Sequence, residues 1–235
     1  EIAALYNSNQ TKMNAPQDTK LTNGLVGFWT FNGKDVGTTI VDVSNQNNHG
    51  YVFGAATSTS VGIGKVGQGL KLDGANNYVQ VANSSSLDMT GAVTMSAWIK
   101  TSTTNDYAGI IQKSNSSTVG YQVGFSTAAS GQLRCDLANG AGYAAVGNSA
   151  NVLDGKWHHV LCVYDGTTAQ LYVDNVSGGG TSLSNYNAPS GVPVTIGFDR
   201  CCGPTRKFNG TIDEARIYNR ALTAVEIKQL YLLGR

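Results

Sequence analysis

Apolar and polar residues alternate with a period of two over most of the chain, and Gly, Asn, Asp and Ser clusters separate the runs. That pattern describes strands with one face on a core and one face toward solvent. It predicts eleven strands: Leu25–Phe31, Gly69–Leu72, Tyr78–Val81, Val93–Lys100, Gly109–Lys113, Tyr121–Ser126, Gln132–Asn139, Trp157–Tyr164, Ala169–Val173, Val194–Phe198 and Gly210–Tyr218. Asp165-Gly166 between two of these runs reads as a hairpin turn. One segment breaks the pattern. Thr223 and Glu226 form a capping box, and Ile227, Leu230 and Tyr231 then share one face of a helix. Many closely spaced strands with no strand–helix rhythm predict an all-β fold: a two-sheet antiparallel jelly-roll sandwich with a short C-terminal helix.

The 235 residues hold enough chain for one large β-domain with its own core. The segment Glu1-Ile-Ala-Ala-Leu-Tyr-Asn7 repeats the Glu, Ile, Leu and Tyr spacing of Glu226-Ile-Lys-Gln-Leu-Tyr-Leu232. Residues 1–23 are therefore expected to be the remnant of an upstream module plus a linker, and residues 24–235 the domain. Only 13% of residues are charged and the net charge is +1. No Lys/Arg cluster is longer than two, so nucleic acid and anionic membranes are not expected partners. No apolar run approaches the ~20 residues that span a bilayer.

Of the four cysteines, Cys135 and Cys162 lie in alternating strands and read either as buried thiols or as a disulfide. Cys201 and Cys202 are adjacent in a loop and could pair with each other only in a vicinal ring. Trp29, Trp98 and Trp157 sit inside predicted strands. Each could stack on a sugar, but core packing is the expectation for mid-strand tryptophans. His158 and His159 point to opposite faces of one strand and cannot act as a pair. His49 is the histidine of a polar loop.

The motifs Gly24-Leu-Val-Gly-Phe-Trp-Thr-Phe31, Asp42-Val-Ser-Asn-Gln-Asn-Asn-His-Gly50, Gly67-Gln-Gly-Leu-Lys-Leu-Asp-Gly74, Val93-Thr-Met-Ser-Ala-Trp-Ile-Lys100, Trp157-His-His-Val160 and Phe208-Asn-Gly-Thr-Ile-Asp-Glu-Ala-Arg-Ile-Tyr-Asn-Arg-Ala-Leu222 occur in a fixed order. Together they resemble LamG-like jelly-roll domains of the concanavalin A-like lectin/glucanase superfamily. The resemblance implies a jelly roll with a concave ligand face, and often a structural Ca²⁺ away from it. Asn32, Asp42, Asn45 and Asp213 are the candidate oxygen ligands, with turn capping as the competing role for Asp42 and Asn45.

Catalytic motifs do not stand out. The glucanase-type Glu-x-Asp-x-x-Glu strand is missing, as are Gln-x-His, Gly-x-Ser-x-Gly, P-loop and His-Glu-x-x-His patterns. Asp213 and Glu214 are adjacent and cannot flank one bond from the same strand face. Asp73, Asp165 and Asp174 end strands and read as turn formers. Glu214, Arg216 and Arg220 read as a structural ion-pair and capping set.

If the domain binds a glycan, the outward face of one sheet and its rim should carry the site. The polar outward positions are Gln112, Gln122, Arg134 and Asp136. Tyr107 and Tyr143 in rim loops add rings for sugar C–H faces. Arg200 and the Cys201-Cys202 loop form an unusual insertion before the final strand, which could line a site or cap the sandwich edge. The expected function is a non-catalytic carbohydrate-binding, lectin-like module of a secreted or cell-surface multi-domain protein, with a polysaccharide or glycan partner and neighbouring domains of the same polypeptide. The alternatives are an adhesion or spacer repeat that binds an extracellular protein or nothing, and a polysaccharide-active enzyme on the same fold.

Overall fold

A computed structural model describes residues 19–54, 61–115, 119–127, 131–138, 143–148, 150–184, 186, 188–201 and 203–235. In chain order the strands are β1 (Leu25–Trp29), β2 (Thr39–Ile40), β3 (Gly50–Phe53), β4 (Val61–Ile63), β5 (Gln68–Asp73), β6 (Tyr78–Val81), β7 (Val93–Lys100), β8 (Gly109–Ser114), β9 (Val119–Phe125), β10 (Leu133–Ala138), β11 (Tyr143–Asn148), β12 (Trp157–Tyr164), β13 (Thr168–Val173), β14 (Val176–Ser182), β15 (Val194–Ile196) and β16 (Asn209–Tyr218). A single helical turn, α1 (Thr19–Thr22), precedes them and α2 (Ala224–Leu233) follows.

The strands form two antiparallel sheets. The first runs β14-β13-β12-β7-β16-β5-β4, with β1 also paired to β16. The second runs β11-β10-β9-β8-β15-β6-β3-β2. All eleven expected strands are present, with ends shifted by at most two residues. The sandwich confirms the all-β reading. Sequence reasoning missed β2, β3, β4, β11 and β14. Each is short, Gly-rich or set among small residues, so its apolar alternation is weak.

Alternation sets the two sheet faces. Val93, Met95, Ala97 and Ile99 of β7 and Val160, Cys162 and Tyr164 of β12 point inward. They meet Tyr121, Val123 and Phe125 of β9 and Leu133, Cys135 and Leu137 of β10 in one core. Cys135 and Cys162 join the sheets through a disulfide, with Cα atoms 5.8 Å apart. This settles the open choice between thiols and a bridge. Cys201 is also disulfide-bonded, and Cys202 lies outside the described residues.

Helix α2 covers the other face of the first sheet. Its Ile227 and Leu230 pack with Leu25, Phe28, Leu161, Val163 and Tyr218 in a second apolar cluster. The capping box forms as the sequence predicts, with the Thr223 and Glu226 side chains each serving the other's backbone N–H. Leu21 joins this cluster. Residues 1–18 lie outside the described residues.

The tryptophans divide. Trp29 is fully buried between the sheets. Trp98 is buried beneath α2, stacked on Tyr231 at 5.7 Å. Trp157 is only half-buried, at the start of β12, so the core expectation fails for it. His159 lies under α2 against Trp98, while His158 turns to Asp174 and Asp154. The two histidines therefore lie apart, as strand alternation requires. Burial pushes the His159 ring down to about 3, so it stays neutral.

Candidate ligand-binding face

The outward face of the second sheet carries a polar row in strict register. Tyr51 of β3 stands opposite Gln80 of β6, and Gln80 opposite Thr195 of β15. Thr195 faces Gln112 of β8, Gln112 faces Gln122 of β9, and Gln122 faces Asp136 of β10. The inward neighbours on these strands are core residues, so the period-two pleat places every member of the row on one face.

Four of the six predicted ligand residues fall in this row or beside it, but in a different role. Gln112 Nε2 donates to Gln122 Oε1 and to Asp199 Oδ1, both at 2.6 Å. Gln122 Nε2 donates in turn to Asp136 Oδ2. Arg134 pairs with Asp136 at 2.9 Å and reaches Asp199 at 3.4 Å. Gln112, Gln122 and Asp136 are buried on the sheet, and Asp199, also buried, reaches them from the segment that follows β15. Burial raises the Asp136 carboxyl above its usual range, while the Arg134 charge and the Gln122 amide pull it back down. These residues therefore form a closed network that holds a loop in place. Tyr107, the fifth, stands at the rim between two guanidinium groups, 4.9 Å from Arg134 and 4.4 Å from Arg206. The sixth, Tyr143, opens β11 opposite Ala138, and its side chain lies outside the described residues.

Asp199 is the residue sequence reasoning missed. It is 1% exposed and accepts from Gln112, from the Cys201 N–H at 2.8 Å and from Arg206 Nη1 at 3.1 Å. The sequence signal was an acidic residue directly after a strand, flanked by Arg200 and Arg206. The Arg200 N–H also donates to Gln112 Oε1 at 2.9 Å, which pins the segment to the sheet.

The exposed part of this face lies on β3, β6 and the segment after β15. Phe53 stacks on Tyr78 with ring centres 5.6 Å apart, and Tyr78 meets Phe198 at 4.8 Å. Tyr51 is 51% exposed and Phe53 41%. The three rings make a shelf whose polar border is Gln80, Arg200 and Lys207. Failure to recognise β3 hid this shelf, although Tyr51 and Phe53 show the i, i+2 spacing of a strand face. On the first sheet, a cleft of about 200 Å³ is lined by Lys100, Thr101, Ser102, Thr103, Asn209 and Thr211. It offers hydroxyls but no aromatic ring.

The four candidate calcium ligands fall into two pairs, Asp42 with Asn45 in one loop and Asn32 with Asp213 against another segment. Asp42 lies in its own loop, where Oδ1 accepts from the Phe28 and Ser44 N–H groups and Oδ2 from the Ser44 hydroxyl and the Asn48 N–H, all at 2.8–2.9 Å. Asn45 adopts φ 70° in the same loop. Asn32 and Asp213 both face the segment before β5 instead. Asn32 Oδ1 accepts from the Gln68 N–H, and Asp213 Oδ2 from those of Lys65 and Val66. The Asp42 and Asp213 carboxylates are thus occupied by donors, which does not fit a cation cage, and no group of three His, Cys, Asp or Glu residues placed to hold a metal ion occurs among the described residues. Glu214 pairs with Arg216 and Glu226 with Arg220, the structural roles read from sequence.

The family model described as the concanavalin A-like lectin/glucanases superfamily matches residues 73–228. The chain belongs to this superfamily. No curated protein sequence matches it. Its fold is similar to the binding domain of Paraclostridial Mosquitocidal Protein 1, with TM-score 0.72 and 16% identity over 90% of this chain and 52% of that one. It is similar to Domain 4 of AbnA, a GH43 extracellular arabinanase from Geobacillus stearothermophilus solved in complex with arabinotriose, with TM-score 0.70 and 16% identity over 90% and 98%. It is also similar to botulinum neurotoxin type C, which enters cells dependent upon interaction with two ganglioside molecules, with TM-score 0.70 and 15% identity over 92% and 53%. The chain spans about half the length of these toxin chains and nearly all of the arabinanase domain. At such identities the likeness concerns fold.

Proposed function

We propose that this domain is a non-catalytic carbohydrate-binding module that uses the outward face of its second sheet. One observation carries the reading: an aromatic shelf of Phe53, Tyr78 and Phe198, with exposed Tyr51 beside it, borders the amide and guanidinium groups of Gln80 and Arg200. Rings suit the C–H faces of pyranoses, and fixed amides and guanidinium groups suit hydroxyls. The buried network beneath fixes the loop in advance, which lowers the ordering cost of binding. The arabinotriose complex of the arabinanase domain and the ganglioside dependence of the neurotoxin lend support by analogy of fold. The Cys135–Cys162 bridge suits a secreted or cell-surface protein, since such bonds persist in oxidising compartments.

A glycan array probed with the domain, followed by calorimetry on the hits, tests this. Binding should fall at least about tenfold in Phe53→Ala and Tyr51→Ala, the loss of one stacked ring. Binding that survives both substitutions would move the site off this face. A domain that binds no glycan, or that turns over a polysaccharide, would overturn the reading.

A further inference from the structure

The shelf carries more positive charge than its own carboxylates use. Among the described residues, four cations stand on this face: Arg134, Arg200, Arg206 and Lys207. Asp136 and Asp199 are committed to Arg134 and Arg206. Arg200 and Lys207 are different. Arg200 Nη1 donates to the neutral amide oxygen of Gln80 at 2.9 Å, and Lys207 Nζ donates to the Pro204 carbonyl at 2.6 Å. Neither belongs to an ion pair among the described residues.

Both cations border the rings. Lys207 Nζ lies 4.8 Å from the centre of the Phe198 ring, and Lys207 bridges Phe198 through the backbone. Gln80, which holds Arg200, stands directly opposite exposed Tyr51. The position of Arg200 is not accidental. Its backbone N–H is fixed on Gln112 and the preceding Asp199 is locked in the buried network, so the guanidinium is delivered to the same edge of the shelf. A guanidinium held this way presents a planar fork of donors that matches a carboxylate, and its desolvation is partly met by the amide it already touches.

We propose that the shelf takes a carboxylate-bearing sugar, a uronate or sialate residue, with its ring on Phe53 and Tyr51 and its carboxylate on Arg200, while Lys207 supplies a second positive charge. This rests on the carbohydrate-binding reading above and narrows its ligand class. Overall charge does not draw acidic polymers in, because the chain is only +1. The selectivity is local.

The test is calorimetry of the whole chain with tri-galacturonate and with 3′-sialyllactose, set against neutral arabinotriose and lactose, at low and high NaCl. At least one carboxylated probe should bind about tenfold or more tighter than its neutral counterpart, and its affinity should fall with salt. The two acidic probes separate a plant-type uronate from an animal-type sialate source. Arg200→Gln should reduce acidic binding at least about tenfold and neutral-sugar binding by a clearly smaller factor, because glutamine keeps a hydroxyl-binding amide but loses the charge. Lys207→Gln, which removes a charge at the same border, should give a smaller loss. Circular dichroism and melting of both variants keep misfolding apart from lost contact. Equal binding of neutral and acidic probes, or acidic binding untouched by Arg200→Gln in a folded variant, would overturn the acidic-sugar assignment and leave the carbohydrate-binding reading standing. No binding to any probe or array glycan would overturn both.

Discussion

Asp199 offers the sharpest test of how the site is built. It accepts from Gln112 Nε2, the Cys201 N–H, Arg206 Nη1 and Arg134 Nη2, while only 1% of its surface is exposed. Asp199→Asn keeps an oxygen for Gln112 and Cys201 but turns an amide N–H₂ toward two guanidinium groups. Those groups are partly solvated, with side chains 18% and 20% exposed, and both keep a contact with Tyr107. Arg134 also keeps Asp136 at 2.9 Å. Each lost pair therefore falls between the surface limit and the buried limit, at about 1 kcal/mol, or about 2 kcal/mol for the two. In a domain of this size that corresponds to a fall in Tm of roughly 4–8 °C. Asp199→Ala should cost a further 1–3 kcal/mol or so, because Gln112 Nε2 and the Cys201 N–H then lose an acceptor. Thermal and urea melts measure the stability, and hydrogen exchange should show the segment 198–206 losing protection before the rest of the sheet. Asparagine and alanine variants that both melt within about 1 °C of the parent, with unchanged exchange, would refute the idea that this carboxylate holds the loop.

Four further outcomes follow from the same structure. Removing the Cys135–Cys162 bridge, which spans 27 residues, should cost about 3.5 kcal/mol and lower the Tm by roughly 7–14 °C, read as the difference between melts with and without reductant and checked in the Cys135→Ala/Cys162→Ala variant. Burial pushes the Asp213 carboxyl up to about 7, so the folded state retains a proton that the unfolded chain has already released; stability should fall as pH rises from about 4 to about 7, and Asp213→Asn should flatten that slope. Burial alone would lower His158, but the Asp174 and Asp154 carboxylates outweigh it and raise it; its contribution is full below the ordinary histidine range and is lost as pH rises through the raised value, so His158→Gln should remove a stability loss on the alkaline side. Millimolar Ca²⁺ against chelator should shift the Tm by less than about 1 °C, since the Asp42 oxygens are already filled by four donors, whereas a stabilisation of several degrees would mean that its loop re-forms around an ion.

The fold was legible because a sandwich writes itself into sequence through alternation. β7 and β12 read correctly to the residue, since each carries eight residues with one apolar set facing the core. α2 was legible from its cap as well as its apolar face: a Thr and a Glu three apart satisfy each other's backbone, and Ile227 and Leu230 follow at helical spacing. The strands that escaped are those where alternation has too little to act on. β2 has two residues, and β14 reads Val-Ser-Gly-Gly-Gly-Thr-Ser with most of its surface exposed. Such strands pair because a neighbouring strand already presents a ladder, and a neighbour is not visible in a local window.

The site shows a different kind of blindness. Outward polarity correctly gathered Gln112, Gln122, Arg134 and Asp136 onto one face, yet polarity alone does not distinguish a residue that greets a ligand from one that supports a loop. The distinction depends on Asp199, which arrives from a segment 63 residues beyond Asp136 and closes over them. Once it does, the amides are spent on each other, and what remains free at the surface is the pair of cations with neutral partners and the rings beside them. The buried carboxylates and the partly exposed cations are thus two halves of one device. The first orders the loop by consuming Arg134 and Arg206, and the ordered loop then holds Arg200 where only an incoming anion can complete its charge.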